Sequence, residues 1–183
     1  IGGPHAMCNQ DFFINNKSVD AVILGEGEKT IYEYLTKKDK TKIRGIYIKR
    51  DNNIIFTGNR EWTNNLDEFP FPALNKVPLE RYNSPIKKKH PISSIMTSRG
   101  CPYNCIFCFH SQGRNFRVRS AKNVVDEIEW QINLGVKEIC VNDDNFTLDI
   151  NRVEQIANLI RERRLDVRLQ FPNGVRVDRL SKE

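Results

Sequence analysis

The chain has 183 residues, with 29 Lys and Arg against 23 Asp and Glu, a formal net charge of +6. Hydrophobic residues at 39% and charged residues at 28% describe a globular composition and exclude a disordered or fibrous one. No apolar run reaches the ~18 residues of a membrane-spanning helix, so no membrane span is expected.

Ile1-Gly2-Gly3-Pro4-His5 shows no basic segment followed by an apolar one, so no secretory leader is visible. The missing initiator Met suggests a piece of a longer protein. Val19 to Leu24 is a short apolar run ending at Gly25, which suits a buried parallel strand. Gly25-Glu26-Gly27-Glu28 reads as a turn, and Lys29 to Leu35 as a helix with Ile31, Tyr34 and Leu35 at helical spacing. Gly25-x-Gly27 is not a dinucleotide fingerprint, because a third glycine is lacking and Glu26 and Glu28 repel phosphates.

Ile43 to Ile48 and Asn53 to Thr57 can pair as a hairpin across Arg50-Asp51-Asn52. Pro70, Pro72, Pro78, Pro85, Pro91 and Pro102 then make continuous helix improbable, and residues 38–90 read as a linker over a neighbouring domain. The run Lys87-Lys88-Lys89-His90 reads as a solvated basic stretch; positive charge favours acidic partners in general and does not indicate nucleic acid.

From residue 91 an α/β rhythm sets in. A strand is expected over 91–97, and a helix from a Ser120 cap to Leu134 with Val124, Val125, Ile128 and Ile132 on one face and Gly135 as its stop. A strand over 137–142 precedes a helix capped by Asp149 and carrying Val153, Ile156, Ala157 and Ile160. Val167 to Phe171 is a third strand, and another helix is expected to begin near the last residue, Glu183. This alternation implies right-handed crossovers and a parallel sheet. Arg117 and Arg119 read as structural, with Glu127 a partner, and Cys140 as a core residue.

Of five cysteines, Cys101, Cys105 and Cys108 lie within eight residues, while Cys8 and Cys140 are remote. Clustered thiols without a leader suggest a reducing, cytoplasmic setting and a metal site rather than disulfides. Three thiolates on this spacing can ligate three irons of a cubane cluster; with no fourth thiolate nearby, one iron stays open to a further ligand. A zinc-binding module with His110 as fourth ligand, an iron–sulfur electron carrier, and three plain core thiols are the alternatives.

The segment from Thr97 to Cys108, with Phe107 before the last cysteine, resembles the C-x3-C-x-aromatic-C loop of the radical S-adenosylmethionine (SAM) enzymes. The resemblance implies a 4Fe–4S cluster whose open iron chelates SAM. One electron then cleaves a carbon–sulfur bond and releases a 5′-deoxyadenosyl radical, which abstracts hydrogen from a small-molecule substrate. It implies adenine contact near Phe107, and a low-potential electron donor such as flavodoxin or ferredoxin. It implies an acid after the second strand for the SAM amino group, where Asp143 is favoured beside Asp144. Asn173 and Arg176, after the third strand, would lie near the cofactor. Gly2-Gly3 and residues 19–28 resemble the end of a cobalamin-binding Rossmann-like domain, although the Asp-x-His-x-x-Gly cobalt-ligand motif is absent from this sequence. The resemblance thus implies three parts: the end of a Rossmann-like cobalamin domain over 1–37, a linker over 38–90, and the first half of a partial (β/α) barrel over 91–183. It leaves open methyl transfer, methylthiolation and cyclisation, and names no catalytic residue.

Overall fold

A computed structural model describes residues 1–51, 53–176 and 178. The helix expected near Glu183 lies outside the described residues, as does Asn52 of the hairpin turn. The chain divides into two compact units, residues 1–64 with 107–112, and residues 65–106 with 113–183.

The first unit opens with two short helices, α1 (Pro4–Cys8) and α2 (Gln10–Asn15). Strand β1 (Ala21–Ile23) is buried throughout and leads to α3 (Gly27–Thr36). Strands β2 (Ile46–Arg50) and β3 (Asn53–Phe56) form the expected hairpin. The sheet order is β1-β2-β3, with β1 antiparallel to β2 through Val22 opposite Tyr47. This corrects the expectation of a parallel strand at 19–24: burial was read correctly, but an apolar run carries no information on the direction of its partner. The first part of the 38–90 stretch is sheet, as the expected hairpin requires. Ile43 and Ile46 are fully buried against Ala21 and Ile23, so hydrophobic burial binds this stretch to the first unit. The expected helical face of α3 is buried only in part: Tyr34 packs against the core of this unit and Thr30 faces inward, while Ile31 and Leu35 are exposed.

In the second unit, the proline-rich stretch contains only isolated 3-10 turns, at Leu66–Glu68, Leu74–Lys76 and Leu79–Arg81. Strand β4 (Ile92–Ile95) follows, then a two-residue strand β5 (Ser98–Arg99) paired antiparallel with β6 (Arg117–Val118). Helix α4 (Ala121–Asn133) starts where the Ser120 hydroxyl accepts the Asn123 N–H at 3.2 Å, and Gly135 ends it with φ 92°. Strand β7 (Glu138–Val141) leads to α5 (Ile150–Glu162), whose Asp149 cap accepts the Arg152 N–H at 3.1 Å, and then to β8 (Arg168–Gln170). The sheet order β4-β7-β8 is parallel throughout, as the βαβαβ alternation requires. Val124, Val125 and Ile128 of α4 pack with Ile139 and Val141 of β7 and Ile156 of α5. The observed α/β sheet thus agrees with the expected class at the level of its parallel strands and crossover helices.

Two buried carboxylates brace this unit. Glu127 pairs with Arg119 at 2.5 Å, as its sequence position suggested. Glu138, which no motif marked, accepts the backbone N–H groups of Lys88 and Lys89 and the Gln170 side-chain amide at the start of the strands. The basic run is therefore anchored by its backbone and is not merely a solvated stretch.

Candidate metal and cofactor site

The C-terminal ends of β4, β7 and β8 gather the second unit's candidate residues. Ligands of parallel α/β sheets sit at this end, where the strands release irregular loops. The first of these loops is the cysteine loop, and its neck is the β5–β6 ladder. Gly100 is held at φ +83°, where a Cβ would stand 2.3 Å from the Asn115 carbonyl oxygen. Only glycine fits there. Cys101 donates its N–H to the Gly113 carbonyl at 3.2 Å, closing the neck beside the first thiol.

All five cysteines are free; Cys105 and Cys108 are exposed and Cys101 is half-buried. From Cys101 to His110 the backbone has no regular structure beyond a turn at Ile106–Phe107. Among the described residues no three His, Cys, Asp or Glu side chains are gathered closely enough to hold a metal ion, His110 included. Cys101 and Cys105 belong to the second unit and Cys108 to the first; the donor set, three cysteines without disulfide partners, fits an iron–sulfur cluster by its chemistry. Phe107 is 88% exposed, so its place in the motif is not a core position. Cys140 differs: it lies on β7, its thiol reaches Gln170 Oε1 at 3.6 Å, and burial pushes its pKa up, with Glu138 adding to the effect. That is the behaviour of a structural thiol.

The two acids after β7 differ in burial, although both accept hydrogen bonds from residues 97–100. Asp143 is 2% exposed. Its carboxylate accepts the Thr97 N–H at 2.6 Å, the Thr97 hydroxyl at 2.5 Å and the Ser98 hydroxyl at 2.6 Å. The Arg152 guanidinium stands 3.8 Å away and donates to the Thr97 carbonyl and hydroxyl oxygens. Asp143 is thereby held to the strand ends by these donors. Its neighbour Asp144 is exposed and accepts the Gly100 N–H at 3.2 Å, at the base of the cysteine loop. Arg152, also buried, has its pKa lowered by desolvation against the pull of Asp143. No sequence motif marked Arg152; its position three residues after a helix cap was the only signal.

The turn after β8 forms as Asn-Gly predicts, with Gly174 donating to the Phe171 carbonyl at 3.0 Å. Asn173 donates its side-chain amide to the Asp143 carbonyl at 3.1 Å. Arg176 grips Asp178 through two bonds of 2.9 and 2.7 Å, and its guanidinium lies 4.1 Å from the centre of the Tyr103 ring. The structure therefore brings Asp143, Asp144, Asn173 and Arg176 to the strand ends that carry the cysteine loop. Gly2 and Gly3 belong to the first unit. Gly2 packs beside Ile23, and Gly3, at φ +94°, precedes α1.

A thiol loop at the C-terminal end of the first parallel strand, followed by acid-bearing and Asn-Gly loops at the next two, defines a cofactor-dependent α/β protein of the iron–sulfur type. Residues 95–182 match the Radical SAM superfamily, and this part of the chain belongs to it. It is 33% identical over 175 residues to an uncharacterised methyltransferase of Pyrococcus horikoshii, covering 91% of this chain and 38% of that protein. It is 28% identical over 186 residues to the cobalamin-dependent radical SAM methyltransferase TokK of Streptomyces tokunonensis, covering 97% of this chain and 27% of that one. Among solved structures, the cobalamin-dependent SAM radical enzyme OxsB with aqua-cobalamin bound aligns with a TM-score of 0.71 at 19% identity, over 92% of this chain and 25% of that one. The radical SAM methyltransferase TsrM of Kitasatospora setae aligns at 0.57 and 20% identity, over 83% and 33% of the two chains. These structural likenesses concern the fold. The chain spans 38% and 40% of the length of two curated relatives it matches.

Proposed function

We propose that the chain is part of a radical SAM enzyme acting on a small molecule by methyl transfer or cyclisation, with cobalamin as a second cofactor. The observation that carries this reading is the position of the cysteine loop: Cys101, Cys105 and Cys108 emerge directly beyond β4, on a neck that only Gly100 permits. Relatives named as methyltransferases, and one named as an anaerobic magnesium-protoporphyrin monomethyl ester cyclase, support the two reaction types.

In this reading Cys101, Cys105 and Cys108 would hold a 4Fe–4S cluster, with SAM bound beside it. Cluster and SAM together would supply one-electron cleavage of a carbon–sulfur bond. The protein's own part is to bind and orient. Asp144, exposed and tied to Gly100, offers a carboxylate to the SAM amino group, while Asn173 and the backbone near Phe107 border the nucleoside. Asp143 and Arg152 keep the first and second strand ends in register from below. A low-potential donor such as flavodoxin or ferredoxin supplies the electron, and such chemistry suits the reducing cytoplasm. No helix among the described residues is long and apolar enough to cross a membrane.

The finer domain reading stands with this proposal: residues 1–37 end a Rossmann-like cobalamin-binding domain in which Gly2 and Gly3 approach the cofactor, and residues 91–183 open a partial (β/α) barrel. The relatives named as cobalamin-dependent support it.

Anaerobic reconstitution with iron and sulfide tests the function. The expected result is a broad visible absorption that changes when SAM is added. A colourless chain with stoichiometric zinc would establish the zinc-module reading instead. A cluster indifferent to SAM would establish the electron-carrier reading.

A further inference from the structure

The cysteine loop is contacted at Tyr103 as well as at its neck. Arg176 follows the turn after β8, and its backbone N–H donates to the hydroxyl of buried Thr147 at 3.1 Å, which fixes where the side chain starts. The two bonds to Asp178 then fix the plane of the guanidinium. That group lies over Tyr103, 4.1 Å from its ring centre. Tyr103 stands midway between Cys101 and Cys105, so a cation placed on its face is attached to the half of the loop that carries two thiols. The negative face of an aromatic ring attracts such a cation, and a guanidinium can also stack flat on it. The Cys105 thiol is close enough to Arg176 to contribute to the upward shift of its pKa, behind the hydrogen bonds to Asp178.

We infer that Arg176 is a positioning residue for the iron–sulfur cluster: through Tyr103 it holds the Cys101–Cys105 half of the loop, and its charge raises the cluster's reduction potential. The inference rests on the cluster reading of the three cysteines. The sign follows from electrostatics. One-electron reduction makes the cluster more negative, and a nearby fixed cation stabilises the reduced form over the oxidised one. Asp178 offsets part of this charge but is held on the guanidinium, so it also keeps the cation in place. A salt bridge that only stabilised the fold would move neither the loop's local mobility nor the potential.

Two measurements on the full chain test this. In the metal-free chain, amide hydrogen exchange across residues 103–106 is expected to be faster in Arg176→Gln and in Tyr103→Leu than in the wild type. In the reconstituted chain, titrated with dithionite and followed by electron paramagnetic resonance, Arg176→Gln is expected to shift the midpoint to a more negative value. Arg176→Lys, which keeps the charge, is expected to restore most of it. Wild-type exchange in both variants, or a wild-type midpoint in Arg176→Gln, overturns the inference. Should Arg176→Gln fail to fold, Tyr103→Leu alone decides the exchange arm and Arg176→Lys against wild type the midpoint arm, where a marked negative shift in Lys overturns the role of charge. Failure of the wild-type chain to take up iron and sulfide defeats the cluster reading, whereas the exchange comparison still reports on the Arg176–Tyr103 contact.

Discussion

Asp143, at the end of β7, accepts the backbone N–H of Thr97 at 2.6 Å and so joins the exits of two adjacent parallel strands. Thr97 lies four residues before Cys101, and the acid therefore sets the point from which the cysteine loop departs. Removing the carboxylate leaves Arg152 as a buried cation without its main counter-charge, with only the weaker influence of Asp149. Asp143→Ala is expected to destabilise the chain by roughly 3–5 kcal/mol, the usual cost of breaking a buried pair from one side. Urea unfolding checks it. Asp143→Asn, which keeps an acceptor, is expected to lose less.

The four thiol substitutions divide into two classes. Cys101→Ser, Cys105→Ser and Cys108→Ser are each expected to abolish the visible absorption of the reconstituted chain and to reduce bound iron. Cys140→Ala, on β7, is expected to leave both unchanged, because its thiol contacts Gln170 and not the loop. Iron analysis beside the spectrum distinguishes the classes.

Gly100→Ala combines a disfavoured φ of +83° with a Cβ placed 2.3 Å from a backbone oxygen. Backbone strain in this region alone costs about 1–3 kcal/mol, and the contact with Asn115 must be relieved by opening the neck. The variant is expected to keep the helical circular dichroism of α4 and α5 while losing cluster uptake.

Asp144→Ala should weaken the spectral response to SAM without preventing cluster assembly, since its carboxylate is exposed even while it accepts the Gly100 N–H. A titration of the absorption change against SAM concentration gives the comparison with the wild type.

Stability should fall in acid with a defined sign. The Asp126 carboxyl is held below its ordinary range chiefly by its hydrogen bond from Lys122, with Arg163 adding to it. Glu33 is held low chiefly by Arg60, with Lys37 adding to it. A carboxyl depressed in the folded state stabilises fully above its unfolded pKa, about 4, and that stabilisation is lost as pH falls through the lower folded value. Asp126→Asn is expected to flatten the dependence of the unfolding midpoint on pH below about 4, with no change in its slope near neutrality.

Local chemistry made much of the second unit legible. The Ser120 and Asp149 caps, the Gly135 stop and the Asn-Gly turn act over a few residues, and each forms where the sequence places it. The β5–β6 neck was not legible, since two-residue strands carry no periodicity. Nor was the importance of Glu138, whose partners lie on the preceding segment and on β8.

By itself the sequence determined the thiol spacing and, in the second unit, the β4-α4-β7-α5-β8 alternation and hence its parallel sheet, because each depends on short-range pattern or on crossover handedness. Only the tertiary structure decided which of Asp143 and Asp144 turns inward. Both acids lie in the loop beyond β7, where no periodicity distinguishes them, and they look alike until the folded segment 97–100 buries one and leaves the other exposed. The same holds for Arg176: its ring partner Tyr103 is remote in sequence, and only folding the third strand beside the second brings cation and loop together.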